Sequence, residues 1–232
     1  MSAPRKLLGV LGGMGPAAGA EFLRLLTALS PATRDQDHAP VILLSDPQVP
    51  DRTEALLGRG EDPTPRLRED LLKLASWGAN LLAVPCNTAH AFIDRFADEL
   101  PVPLVHIVEE TLADAVEKNP LGGWLVATEG TLASGIYQER ALRRGFTLRL
   151  PSPKEQVEVN EVIRLVKANR PDEAGRRFRA VAEALWGRAE VPILAACTET
   201  PLAYQAAGLP REMAVSSLEA LARGSLRELQ KP

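Results

Sequence analysis

Short runs of Leu, Val and Ile recur along the chain, separated by longer stretches in which apolar residues return every three or four positions. The short runs read as strands buried on both faces and the longer stretches as the helices that cover them, the pattern of an open parallel sheet. Strands are expected at residues 7–11, 41–45, 81–84, 104–107, 124–127, 147–150 and 193–196. Pro16 suits the first position of a helix reaching residue 29, because it lacks only an N–H that would be unpaired there. Residues 65–80 carry helical spacing with a left-handed stop at Gly78, and a last helix is expected from Glu219 onward.

The pattern occurs twice. Strand, helix, strand, helix, strand leads from Lys6 to Cys86 over 80 positions; the same order with one added helix leads from Gly123 to Cys197 over 74. This predicts an α/β fold of two pseudo-symmetric lobes, each a mostly parallel sheet flanked by helices, with a site in the cleft between them. The first lobe is expected to take residues 1–103 plus 211–232 and to carry Cys86; the second takes residues 104–210 and carries Cys197. Ligands of parallel sheets bind outside the carboxyl ends of the strands, where both cysteines fall.

Composition narrows the partners. Hydrophobic residues at 45%, charged residues at 25% and a net charge of −3 fit a globular protein with no bias toward polyanions, so nucleic acid is not expected. No apolar run approaches the roughly 18 residues of a membrane span, and the N-terminal run is too short for an export signal. A cytoplasmic location with both thiols free is expected.

The two thiols stand in matched settings, "VPCNTAH" and "AACTETP", each after a strand and before an expected helix start. Backbone N–H groups and the helix dipole there are expected to lower a thiol's pKa. Two such groups facing one ligand suit inversion of a carbon bearing a weakly acidic hydrogen, one removing the proton and the other replacing it. The Asn87 amide and the Thr88 and Thr198 hydroxyls can hold a carboxylate; Glu199 can accept from an ammonium group.

The segments "GVLGGMGPAAGAEF", "PQVPDRTEALLGRGEDP", "PCNTAH", "ATEGTLASGIY" and "CTETPLA" follow one another from Gly9 to Ala203. In this order they resemble the cofactor-independent aspartate/glutamate racemase family, in particular its aspartate racemase branch. The resemblance implies a two-lobe fold with an interlobe site, no pyridoxal phosphate and no metal, a dicarboxylate amino acid as substrate, and a homodimer. By the same resemblance Cys86 and Cys197 match the catalytic positions, and Asn87, Thr88, Thr198 and Glu199 match substrate contacts. Arg52 in "PDRT" and Lys167 in "IRLVKAN" match the residues that recognise the side-chain carboxylate. Arginine suits that task because its planar fork matches a carboxylate.

The chain departs from the family pattern at Ala196 and Thr200, where glycine and an aliphatic residue are more usual, and at Asp46, which stands in place of asparagine. A carboxylate at 46 would weaken anion binding unless it faces away.

Other readings compete. "GGMGPA" matches a dinucleotide fingerprint, but that motif wants an acid ending the second strand about 20 residues on, and Asp46 lies 33 positions beyond Gly13. The racemase reading uses the loop as backbone beside the substrate, with Met14 lining the pocket. Cys86, His90, His106 and Cys197 match no common zinc spacing. His90 is expected to cap or pack within its helix and His38 to lie at the surface. Thr128 and Thr131 are read as secondary contacts or as a helix cap. The remaining alternatives are an isomerase or decarboxylase of another small carboxylic acid, a nucleotide-dependent oxidoreductase and a non-catalytic carboxylate-binding protein.

Overall fold

A computed structural model of the protein describes residues 6–231. It contains two four-stranded sheets, all of whose pairings are parallel. Strands β1 (Leu8–Gly12), β2 (Val41–Ser45), β3 (Leu81–Ala83) and β4 (Leu104–Val105) form the first, in the order β2-β1-β3-β4. Strands β5 (Gly123–Val126), β6 (Leu148–Arg149), β7 (Ile193–Ala195) and β8 (Ala214–Ser216) form the second, in the order β6-β5-β7-β8. The orders are the same once the numbering is shifted by four, so the duplication seen in the sequence is a duplication of topology.

Helices fill the connections: α1 (Pro16–Leu29), α2 (Arg52–Leu56), α3 (Thr64–Ser76), α4 (His90–Ile93), α5 (Ile107–Lys118) and α6 (Glu129–Ser134) come first. Then follow α7 (Ile136–Arg143), α8 (Pro153–Lys167), α9 (Pro171–Trp186), α10 (Thr200–Ala206) and α11 (Ser217–Gln230). Pro16 does open α1, and Gly78 follows α3 with φ +97°.

Side chains alternate across each strand, and the alternation sorts the core into layers. Leu8, Val10, Leu81 and Ala83 on one sheet and Leu125 and Leu194 on the other join a single cluster with residues of α1, α5, α7 and α11. The opposite parity, Leu11, Leu82 and Val84, packs beneath α3 and α4. Trp124, Val126 and Ile193 pack beneath α8, α9 and α10. Cys86 continues the outward parity of Leu82 and Val84, and Cys197 that of Ile193, so each thiol enters at the rim of an outer cluster.

Several expected boundaries shift. The run at 104–107 is a strand only as far as Val105, because His106 is the N-cap residue of α5. Strand β4 therefore pairs with β3 in the first sheet, although residue 104 was expected to begin the second lobe. Strand β8, three residues long, was not expected; it lies within residues 211–232, assigned to the first lobe, and pairs with β7 in the second sheet. The last helix starts two residues before Glu219, at Ser217, with the Ser216 hydroxyl accepting from Glu219 N–H.

Candidate active site

In a sheet of order 2-1-3-4 the connections leave in opposite directions on either side of the first strand, and a crevice opens at the carboxyl ends of the strands flanking that point. Here those strands are β1 and β3 in one sheet and β5 and β7 in the other. Met14 follows β1, Cys86 follows β3, Thr128 follows β5 and Cys197 follows β7, and all four line one narrow cavity of about 20 Å³. Both cysteines are free, with 5% and 6% of their surface exposed. Two larger grooves, about 740 and 450 Å³, run beside β8 and α11. Neither contains a thiol, so chemistry rather than size identifies the site.

The nine residues matched to catalysis or substrate contact in the sequence all lie on this cavity: Met14, Arg52, Cys86, Asn87, Thr88, Lys167, Cys197, Thr198 and Glu199; Thr131, read as a secondary contact, does not. The cavity wall also includes Asp51, Thr53 and Thr128, the first two of which were not singled out. Their signal was adjacency, since both flank Arg52 in "PDRT".

The thiols differ in their surroundings. The Cys197 thiol donates to Glu199 Oε2 at 3.0 Å, and Thr198 Oγ1 donates to the same oxygen at 3.2 Å. Burial and then the Glu199 carboxylate hold the Cys197 pKa well above the usual thiol range, which overturns the expectation of a lowered value there. The helix start is present, but desolvation and an adjacent anion outweigh a partial positive charge. Cys86 is backed by His90, whose Nδ1 lies 2.9 Å from the Cys86 carbonyl oxygen. Burial, then His106, pushes the His90 pKa down to about 3, so the ring is neutral and its Nδ1–H donates to that carbonyl. His90 thus anchors the backbone of the cysteine as well as opening α4.

Asn87 and Thr88 are held from the other half of the molecule. Tyr137 donates to Asn87 Oδ1 at 2.6 Å, and Asn87 Nδ2 donates to Ser217 Oγ at 3.0 Å. The Thr88 hydroxyl lies 3.0 Å from that of Thr128 and 2.8 Å from that of Thr131, and these two are 2.9 Å apart. Thr128 is also the N-cap of α6, accepting from Thr131 N–H at 3.1 Å, so the cap reading holds, and of the pair Thr128 alone lines the cavity. Tyr137, Ser217 and Thr131 are buried behind the cavity wall; Thr131 was read beside Thr128, whereas nothing local in the sequence marks Tyr137 or Ser217.

Cations gather at one end. Arg52 opens α2, and its Nη1 donates to the carbonyls of Val49 and Pro50, both at 3.1 Å; its Nε is buried with no partner among the described residues. Asp51 caps α2 through the N–H groups of Thr53 and Glu54, which turns its carboxylate toward the helix. Lys167, the last residue of α8, reaches the rim from the second half and is exposed. Together these groups can hold a distal carboxylate, while Glu199 supplies the anionic end for an ammonium group.

Asp46 faces away. Its oxygens accept from Arg66 Nε at 2.6 Å and from Gln48 N–H at 2.9 Å, and it is absent from the cavity wall. The Gly-rich loop packs on it: a Cβ at Gly13, whose φ is +96°, would sit 2.3 Å from the Asp46 carbonyl carbon. That contact alone requires glycine at 13, without any pyrophosphate. Among the described residues no group of three His, Cys, Asp or Glu side chains forms a metal-ligand set. His38 is half-buried and borders a separate surface groove. No helix among the described residues is long and apolar enough to cross a membrane.

The profile of the Asp/Glu/Hydantoin racemase family matches residues 11–223. A broad specificity amino-acid racemase, RacX, from Bacillus subtilis is 27% identical over 198 residues, covering 83% of this chain and 85% of that protein. The aspartate racemase of Picrophilus torridus superposes with a TM-score of 0.84 at 29% identity, covering 98% of this chain and 95% of the other. An aspartate racemase homologue from Pyrococcus horikoshii OT3 superposes at 0.73 with 21% identity, covering 97% and 98%, a likeness of fold.

Proposed function

The chain belongs to the Asp/Glu/Hydantoin racemase family, and from that premise we propose that it interconverts L- and D-aspartate by a two-base mechanism in which Cys86 and Cys197 need no added cofactor. The observation that carries this reading is that one cavity is lined by both thiols.

In the proposed reaction the substrate α-carbon sits between the two sulfurs. The Cys86 thiolate takes the α-proton from one face and the Cys197 thiol delivers its own proton to the other, leaving Cys86 as thiol and Cys197 as thiolate. This pair of states is the one required to turn over the opposite enantiomer. Cys197 suits the donor role as it stands, because burial and Glu199 keep its proton in place. When a substrate ammonium group engages Glu199, the carboxylate gains a cationic partner and its hold on the thiol proton weakens.

Asn87, Thr88 and Thr198 supply donors for the α-carboxylate. Arg52 and Lys167 take the side-chain carboxylate, and the backbone carbonyls that grip Arg52 Nη1 leave the rest of its fork free to do so. The pairing of two cations with a small cavity favours aspartate over uncharged amino acids. A homodimer belongs to the same reading, and sedimentation equilibrium tests it.

Incubation of the purified protein with L-aspartate in D₂O tests the chemistry. Deuterium is expected at the α-carbon with loss of optical rotation and no added cofactor; an inert mixture would overturn the proposal. Replacing either cysteine by serine is expected to slow interconversion roughly 10²- to 10⁴-fold.

A further inference from the structure

The motif "ATEGTLASGIY" ends in a tyrosine to which the proposed mechanism gives no part. Tyr137 lies on α7 within the cluster shared by the two sheets, and none of its surface is exposed. Its phenol nevertheless reaches the cavity wall from behind, donating to Asn87 Oδ1 at 2.6 Å across 50 residues of sequence. On the other side of the same amide, Asn87 Nδ2 donates to Ser217 Oγ at 3.0 Å, from the first residue of α11. Asn87 and Ser217 are 2% and 0% exposed, so water does not compete for these bonds.

An asparagine side chain offers one carbonyl and two N–H groups, and a half-turn about its last bond exchanges acceptor for donor. Here the carbonyl is committed to the phenol and one N–H to the serine. One N–H remains, on a residue that lines the cavity. A carboxylate ligand needs that donor; the flipped amide would present an oxygen and repel it. Burial holds the Tyr137 pKa far above any working pH, so the phenol does not lose the proton it donates.

We infer that Tyr137 is a positioning residue: its phenol, together with the Ser217 hydroxyl, fixes the Asn87 amide with its carbonyl away from the cavity and its free N–H toward a substrate carboxylate. The inference rests on the racemase reading above and deepens it. It assigns to the first turn of α7 and the start of α11 a share in substrate recognition, although neither residue touches the ligand.

The test compares aspartate racemisation by the wild type, Tyr137→Phe, Asn87→Ala and the double variant. Tyr137→Phe keeps the ring and removes only the hydroxyl. It is expected to raise KM roughly three- to tenfold while kcat changes by less than about twofold, the mark of a lost binding contact. The double variant is expected to be no worse than Asn87→Ala alone within about twofold, because the phenol acts only through the amide. Ser217→Ala is expected to show the same KM shift and serves if Tyr137→Phe does not fold. A readout that needs no turnover is the NMR exchange rate of the Asn87 side-chain amide protons, expected to rise in Tyr137→Phe. Losses that multiply in the double variant, or an unchanged KM and exchange rate in an active protein, would overturn this inference alone. A wild type inert toward every amino acid overturns it together with the racemase reading.

Discussion

The Cys197 thiol and the Glu199 carboxylate are joined by a 3.0 Å hydrogen bond inside the cavity, two residues apart at the start of α10. The bond stabilises the protonated thiol. Glu199→Gln removes the negative charge, so the Cys197 pKa is expected to fall while staying above that of an exposed thiol, because burial remains. Alkylation rates measured against pH in a Cys86→Ser background read this directly. An unchanged or higher pKa would mean that Glu199 does not govern the proton.

Arg52 lines the cavity with its Nη1 gripped by two backbone carbonyls and its Nε buried without a partner among the described residues. Arg52→Ala is expected to lower kcat/KM for aspartate roughly 10- to 100-fold, the range for a charge-assisted contact. Turnover of alanine, if measurable, is expected to change far less, and Arg52→Lys should fall between because the fork is lost while the charge stays. Equal losses on both substrates would remove Arg52 from side-chain recognition.

Asp70 on α3 is 2% exposed and faces Asp46, with Arg66 beside both. Burial, then Asp46, raises its pKa from 3.8 to about 6. A carboxyl whose folded pKa lies above its unfolded value binds its proton more tightly when folded. Its stabilising contribution is therefore complete below 3.8 and is lost as the pH rises through about 6. Asp70→Asn keeps a donor for Asp46 without the charge. Its melting temperature is expected to rise relative to wild type as the pH climbs across that window; a constant difference would show that Asp70 titrates normally.

Gly130 in α6 meets α2 so closely that a Cβ would stand 2.7 Å from Thr53 Cα. This contact presses the Arg52 segment of the first half against the second. Gly130→Ala is expected to cost about 1–3 kcal/mol of stability and to raise KM for aspartate, since Arg52 neighbours Thr53. Thermal melts and steady-state kinetics check both; a rise in stability would show that α2 yields without strain.

Much of this architecture can be read in the sequence because it rests on local pattern. Apolar runs marked seven of the eight strands to within two residues, and the two cysteines marked the cavity in which the proposed chemistry is placed. β8 escaped because "AVS" has no run of its own and becomes a strand only beside β7. His106 was read as strand because the apolar pattern runs on unbroken into α5. In the site, residues that follow strand ends were legible, whereas Tyr137 and Ser217 work through contacts made 50 and 130 residues away. The raised Cys197 pKa was missed for a related reason: the helix start is visible in sequence, but whether Glu199 turns toward the sulfur is a matter of rotamer.

Matched in backbone and unlike in electrostatics, the two sulfurs make the two directions of the proposed reaction start from different resting enzymes. Enantiomers have equal free energy in water, so thermodynamics forces the ratio of kcat to KM to be the same for both. The asymmetry must then surface in kcat and KM separately, with the direction that is slower at saturation also the one that saturates sooner.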